Sequence, residues 1–468
     1  MLELRDYQAH LVNEAREHIK AGCNAVLIQS PTASGKTVLV AHMLRNASRR
    51  GYDSWFVVHR RELVKQSVAT LTEAAGLDVG VVAAGFPGNR HQHTQVCSIQ
   101  TLRGRWKHLA RPSLVVWDEC HHVAAASWAE VFHAFPNAAH IGLTATPERL
   151  DGVGLGGWFK ELVVGPTVAE LIDAGWLSKF KLYSPPGPDL SAVHMLAGDY
   201  NRKELASVME GSAVMGDVLT HYRKLAAGKR MVLFAWSIES SIAIAARFRE
   251  AGIPAEHVDG TATNIERDGA MDRFRRGDTL VLTNVDLFGE GLDVPAIEAV
   301  ALLRPTQSLS LYLQQVGRAL RPASGKDYAV ILDHAGNALR HGLPDDPRAW
   351  SLQSGRRKRV GDNAAPIRQC PQCYAVMPAA RPTCVECGFK FAVISRDIDE
   401  VAGELREVEA RRDKRIEQGR AETIDDLIAI GRIRGYKFPE RWAQMVYRGR
   451  LAKKAATEAV TSLRRGLV

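Results

Sequence analysis

Residues 25–37 read AVLIQSPTASGKT, and VLVAHML follows at 38–44. A short apolar run, a loop carrying Gly35 and then a helix-length apolar stretch form the strand–loop–helix unit of a parallel α/β sheet. The GKT ending fits a phosphate loop, where backbone N–H groups at a helix N-terminus wrap phosphate oxygens. In such a loop Lys36 reaches the β/γ oxygens, the Thr37 hydroxyl holds Mg²⁺, and Thr32, Ala33 and Ser34 complete the cradle. Ser30 stands where the pattern has its first glycine.

GKT also occurs by chance in loops, so a second strand has to decide. Residues 114–122, LVVWDECHH, supply it. Asp118 at the strand end would orient Mg²⁺, largely through water, and Glu119 would polarise the attacking water. Adjacent carboxylates against apolar packing are costly unless a cation neutralises them. Cys120, His121 and His122 are consecutive, and neighbouring side chains do not readily converge on one tetrahedral ion. Magnesium at the carboxylates is therefore expected here, not zinc. Cys120 reads as a small buried apolar residue, and His121 as a link from nucleotide to the next layer.

The same rhythm recurs along the chain. WFVV (55–58), VCSI (96–99) and HIGL (140–143) join the two runs above, with helical stretches between them. This predicts a parallel sheet covered on both faces. SPPGPDL (184–190) reads as a connector. A second series follows: MVLFA (231–235), TLVLT (279–283), AVALL (299–303) and YAVIL (328–332). The expected division is a first ATP-binding lobe over 1–165, a connector over 166–220 and a second lobe over 221–345. A basic linker with a cysteine module (346–395) and a basic helical segment (396–468) complete it.

Composition sets further bounds. The chain has 468 residues, 46% hydrophobic and 24% charged, as a folded globular protein does. No apolar run is long enough to cross a bilayer, and MLELRDYQAH has no apolar leader core, so a cytoplasmic location is expected. Residues 1–345 hold 36 basic and 36 acidic residues, whereas 346–468 hold 25 and 16. The whole +9 excess thus lies in the last quarter, which suits an appended module that touches a polyanion or a solvated tail.

DECH, preceded by SPTASGKT and followed by LTATP (143–147), resembles motifs II, I and III of superfamily 2 helicases of the DEAD/DEAH type. LRDYQ (4–8) is similar to the adenine-reading motif, with Gln8 on the base edge and Arg5 or Tyr7 stacking nearby. VVHRRELVKQ (57–66) and SIQTL (98–102) resemble motifs Ia and Ib. VLTNVDLFGEGLDVP (281–295) resembles motif V, and QQVGRALRP (314–322) resembles motif VI. The resemblance implies two tandem RecA-like doubly wound parallel-sheet domains. It implies Arg318 and Arg321 as arginine fingers, Gln314 placing the water, and Gly291 and Asp293 at the ribose side. Thr144 and Thr146 would couple nucleotide state to lobe movement, and Arg60, Thr101 and Thr283 would contact nucleic-acid phosphates. DECH, HRREL, GTATNIERDGAMDRF (260–274) and GYKFPERWAQMVY (435–447) resemble the XPB/RadD-like branch. That implies a DNA motor in repair or recombination, moving 3′→5′ on single-stranded or forked DNA, with RNA the lesser alternative. A duplex translocase and a nucleotide-gated clamp share the motifs.

Cys370, Cys373, Cys384 and Cys387 form two CxxC pairs separated by ten residues. Thiolates so spaced make a tetrahedral zinc site; disulfides suit an oxidising compartment, and an iron–sulfur cluster is the lesser use. Arg381 and Lys390 lie nearby. In the last segment Tyr436, Trp442 and Tyr447 interleave with Lys437, Arg441, Arg448 and Arg450. That pattern suits base stacking with backbone neutralisation, and equally a small helical core with a basic exterior. Repair or replication proteins are a further class of partner for this segment.

Overall fold

Strand pairing follows from the apolar runs. In a computed structural model, residues 3–59, 61–123, 125–148, 153–196, 198–210, 214–287, 297–353, 366–392, 418, 421 and 423–448 are described. The strands β1 (Ala25–Gln29), β2 (Ser54–Val58), β3 (Val79–Val82), β4 (Thr94–Ser98), β5 (Leu114–Trp117), β6 (Ala139–Thr144) and β7 (Glu161–Val164) form one sheet in the order β3-β4-β2-β5-β6-β1-β7. Every pairing in it is parallel. Successive side chains alternate between its faces. Ile28, Phe56 and Val116 pack on one side with Leu11 and Leu44, while Leu27, Trp55 and Trp117 pack on the other with Trp128. Both faces are dry, so the strands read as continuous apolar runs. The covering helices are α1 (Asp6–Lys20), α2 (Lys36–Ser48), α3 (Arg61–Ala69), α4 (Ile99–Arg105) and α5 (Ala126–Ala134).

A second sheet repeats the plan. It contains β8 (Lys179–Tyr183) and, beyond a short hairpin of β9 (Met195–Leu196) and β10 (Asp199–Tyr200), the strands β11 (Met231–Phe234), β12 (Ala255–His257), β13 (Val281–Asn284), β14 (Ala299–Leu302) and β15 (Tyr328–Asp333). Their order is β12-β13-β11-β14-β15-β8, again parallel throughout. Helices α6 (Val168–Asp173), α7 (Arg202–Glu210), α8 (Val214–Leu225), α9 (Ile238–Glu250), α10 (Asn264–Arg276), α11 (Leu309–Ala319) and α12 (Asn337–His341) accompany it. The stretch expected as a connector, 166–220, supplies α6, α7, the start of α8 and the edge strand β8, so most of it is structured.

The cysteine module follows, with an antiparallel pair of β16 (Ile367–Gln369) and β17 (Val376–Pro378). Its Cys370, Ala375, Met377 and Cys384 share a core cluster with Tyr183, Met209 and Leu233 of the second lobe. A separate unit covers Val393–Val468. Within it α13 (Ile424–Ile433) is capped by Thr423, whose hydroxyl accepts from the Asp426 amide. Helical residues 439–448 fold back on it around Leu427, Ile430 and Ala443. Among the described residues no helix is long and apolar enough to span a membrane.

Candidate functional site: a nucleotide cleft between two lobes

The strand order sets β5, β6 and β1 side by side, so the loops at their C-terminal ends converge. The Ser30 amide donates to Thr144 O at 2.9 Å, and the Gln29 carboxamide to Ala145 O at 3.0 Å. Between β1 and α2 the backbone passes through the left-handed region at Ala33 (φ 67°) and Gly35 (φ 82°), which curls the loop around the start of α2. In place of a first glycine, the Ser30 hydroxyl meets the Ser34 hydroxyl at 2.6 Å and ties the loop across its base.

From the N-terminal side, Tyr7 OH donates to Ser34 O at 2.6 Å, and Gln8 Nε2 donates to Ser34 O at 3.2 Å. Gln8 is buried and its Oε1 accepts the Arg5 amide at 3.0 Å. Its carboxamide is thus spent on the phosphate loop and on α1, not left open to solvent. Arg5 lies 3.9 Å over the Trp176 ring and donates to Tyr7 OH at 3.2 Å.

Lys36 Nζ sits 3.3 Å from Ser30 O and 3.9 Å from Glu119 Oε1. Glu119 itself holds φ 45°, a costly conformation for a residue with a β-carbon. Its other oxygen is 3.5 Å from His121 Nδ1, which reaches Thr144 Oγ1 at 3.3 Å. Thr144 Oγ1 in turn accepts the Thr146 amide at 3.1 Å. Loop, carboxylate, histidine and threonines are therefore one contact chain. Asp118 is half-buried beside Glu119, and Thr37 is the second residue of α2. Cys120 is fully buried against Gly142, and burial drives its thiol pKa well up. It is a core residue.

The second lobe closes this cleft. A β-carbon on Gly317 would lie 2.5 Å from Thr32 Cβ and Cγ2, so α11 rests directly on the phosphate loop. One residue on, Arg318 is 6% exposed, and Gln314 is buried on the same helix. Arg321 is half-buried just past the helix end. Among the described residues, Thr32 Oγ1, Glu119 Oε2, Thr146 Oγ1 and Gln314 Nε2 are buried and find no hydrogen-bond partner. Native proteins leave few such atoms, and a polar, phosphate-bearing ligand with its magnesium fits this donor set. Tyr7 and Ala33 also pack against the second lobe's core.

Sequence reading missed three contributors. Lys326 Nζ, largely buried, donates to Arg321 O at 2.7 Å, to Ile297 O at 2.8 Å and to Ala319 O, so it clamps the end of α11. Burial lowers its pKa to about 8. Trp176 and Gly317 are the others; each acts through a contact far away in sequence.

The expected nucleic-acid contacts fare unevenly. Thr283 is fully buried in β13, and its hydroxyl donates to Ser241 O at 2.9 Å. Thr101 is half-buried and accepts the Ala84 amide at 3.1 Å. Arg60, Gly291 and Asp293 lie outside the described residues. Trp442 packs beside the core of the terminal unit, 5.0 Å from the half-exposed Tyr436 ring.

The four thiols at 370, 373, 384 and 387 are unbridged, and their sulfurs all lie within 4.8 Å of one another. Each CxxC turn closes alike: the Tyr374 amide donates to Cys370 O at 2.9 Å, and the Gly388 amide to Cys384 O at 3.0 Å. Against the cost of burial, backbone amides of Cys373 and Gln372 and neighbouring thiols bring the Cys370 thiol down to about 7. Two such knuckles fit one tetrahedral metal.

Comparison with known proteins agrees with this geometry. Residues 1–149 match the type III restriction enzyme res subunit family, and residues 214–323 the helicase conserved C-terminal domain. A 51.5 kDa protein of a Lactococcus phage is 35% identical over 78% of this chain and 78% of its own length. The DNA 3'-5' translocase XPB2 of Sulfurisphaera tokodaii is 24% identical over 71% of this chain and 81% of its own. The ATP-dependent type ISP restriction-modification enzyme LlaBIII, solved bound to DNA, superposes with a TM-score of 0.55 at 18% identity, covering 71% of this chain and 27% of LlaBIII. The chain is an ATP-hydrolysing enzyme with two RecA-like domains and belongs to the superfamily 2 helicases.

Proposed function

We propose that the protein is a DNA motor, in which ATP hydrolysis between the lobes drives movement along single-stranded or forked DNA. The contact of α11 with the phosphate loop carries this reading, because it makes the triphosphate site complete only when both lobes meet. Lys36 and the loop amides bind the phosphates, and Thr37 and Asp118 would hold a magnesium ion, which would supply charge neutralisation. Glu119 takes a proton from the attacking water, positioned with Gln314. Arg318 and Arg321 neutralise the charge that develops on the γ-phosphoryl group. The chain from Glu119 through His121 to Thr144 and Thr146 passes that change to the lobe boundary.

DNA as the track rests on similarity to a DNA translocase and to a DNA-bound restriction enzyme. The XPB/RadD-like branch, a place in repair or recombination, 3′→5′ movement and a cytoplasmic, thiol-reducing setting extend that reading. Zinc at the four thiols completes the second lobe, and the terminal unit, with Tyr436 exposed among cations, adds nucleic-acid or partner contacts. The test compares ATP turnover without nucleic acid and with single-stranded, duplex and forked DNA and RNA. Stimulation by DNA is expected, and Lys36→Ala should lower turnover by about a hundredfold or more. Equal turnover with and without every nucleic acid refutes the motor.

A further inference from the structure

Among the described residues the chain crosses between the two lobes twice. At the first crossing, residues 165–167 lead from β7 into α6. The Gly165 amide donates to Gln29 O at 2.8 Å, and a β-carbon on Gly165 would lie 2.7 Å from the same oxygen. The crossing is thus pressed against the end of β1, where the phosphate loop begins. Thr167 then caps α6, its hydroxyl accepting the Glu170 amide at 3.2 Å, and Leu171 enters the second lobe's core. The second crossing comes after α12. Leu343 still belongs to the core of the second lobe, but Leu352 packs with Leu155 and Phe159 of the first. The Leu352 carbonyl accepts the Gly156 amide at 2.8 Å.

This return is stiff. Arg348 donates to the carbonyls of His341 at 3.3 Å, Leu343 at 2.8 Å, Pro344 at 3.3 Å and Asp346 at 2.9 Å. The Asp346 carboxylate accepts the Leu343 amide at 2.8 Å. A guanidinium presents its donors in a rigid fork, so this one knots 341–348 onto the end of α12. Trp350, half-buried, follows the knot. It lines a cavity with Gly165 and Val168 of the first crossing, Val316 and Gly317 of α11 and Thr32 of the phosphate loop. The two crossings therefore stand side by side, next to the place where α11 meets Thr32.

Two bodies joined at one flexible point can swing and twist about any axis. Joined at two points, they keep rotation about the line between them. Helix α11 carries Gln314 and Arg318, and about 1 Å of misplacement around reacting groups can cost on the order of a hundredfold in rate. A second joint lets the cleft open and close while α11 stays in register with the phosphate loop. We propose that residues 343–352 are a strap that fixes the closing axis of the lobes, with Arg348, Trp350 and Leu352 as positioning residues for ATP hydrolysis. Arg348 anchors the strap to the second lobe and Leu352 to the first, and Trp350 spans the gap between them. The strap rests on the reading of a triphosphate site that is complete only when both lobes meet, and it holds for any nucleic-acid track.

The test uses the full chain, with and without single-stranded DNA, and two probes: a fluorescent ADP, and ADP with aluminium fluoride as a transition-state mimic. Leu352→Ala should lower kcat by about tenfold or more. It should still bind one ADP per chain with wild-type affinity, because Lys36 and the loop amides belong to the first lobe. The aluminium fluoride complex should bind about tenfold or more weakly, since it needs α11 in place. Leu352→Met keeps the side-chain volume and should restore both. Gly156→Ala reaches the strap from the opposite side. Gly156 lies outside the left-handed region, and the nearest neighbours of its new β-carbon would all be Leu352 atoms, the carbonyl oxygen closest at 3.1 Å. It should show the same split to a smaller degree. Wild-type kcat in Leu352→Ala overturns the strap. So does a loss of ADP sites in step with kcat, which marks a chain that merely unfolds, or a loss in Leu352→Met equal to that in Leu352→Ala. Absence of DNA stimulation in the wild type tells against the motor alone, because the split is then read on the basal rate.

Discussion

Gly317 shows how one missing side chain can serve catalysis without serving stability. It lies inside α11, where alanine is favoured over glycine by about 1 kcal/mol. Its added methyl, however, would meet Thr32 Cβ and Cγ2 at 2.5 Å. Gly317→Ala should therefore leave the melting temperature unchanged or raised while ATP turnover falls by about tenfold or more, roughly 1.4 kcal/mol of hindered closure. Full turnover in that variant means the lobes need not meet here. Lys36, Asp118, Glu119 and Arg318 were legible in the sequence because their meaning is carried by neighbours a few positions away. The contacts of Gly317, Trp176 and Lys326 are with distant segments; Gly317 falls inside the stretch that resembles motif VI, but its approach to Thr32 is not written there. Thr283 lies in a stretch that reads locally, and its hydroxyl turns inward to Ser241 O, a partner that no local pattern gives.

At the scale of elements, strands dry on both faces announced themselves as apolar runs, whereas the edges did not. β7 (ELVV) and β8 (KFKLY) are partly wet, and β12 is only three residues long, so each lacks the run that marks an inner strand. The junction of β15 with α8 and the cysteine module carries a pH prediction. His334, just after β15, is buried 5.0 Å from the His221 ring of α8, which lies 6.2 Å from Tyr374 of the first knuckle. Burial first, and then the neighbouring His221, depress the His334 pKa to about 3. The unfolded chain takes up that proton near pH 6.5 and the folded chain does not. The stability this contributes is whole above pH 6.5 and drains as pH falls toward 3. Each pH unit in that window should cost about 1.4 kcal/mol, and His334→Gln should lose that slope. Urea unfolding of both proteins at pH 7, 6 and 5 reads the difference directly. A constant gap between them means His334 charges in the folded state.

Over the whole molecule, the cysteine module behaves as part of the second lobe. Glu386, inside the second CxxC turn, accepts from Lys181 Nζ at 2.7 Å and from Tyr183 OH at 3.0 Å, and both donors belong to edge strand β8. The Ser184 amide donates to Tyr374 O at 2.9 Å in the first turn. Each knuckle thus grips the strand that completes the sheet, and β8 pairs with β15, beside the strand leading into α11. So small a module has few apolar residues of its own, so metal binding would supply much of its folding free energy. One zinc per chain is therefore expected on elemental analysis. Cys370→Ser should lose the metal and more than about 3 kcal/mol of stability, with unfolding of the second lobe, not of the module alone. Glu386→Gln should keep the zinc yet weaken the β8 edge, because it removes the charge that Lys181 faces across a partly buried contact. If Cys370→Ser keeps full stability and DNA-stimulated turnover, the module is an independent appendage. If Glu386→Gln sheds zinc along with the contact, the knuckle needs β8 to form at all, and the dependence between metal and sheet runs both ways.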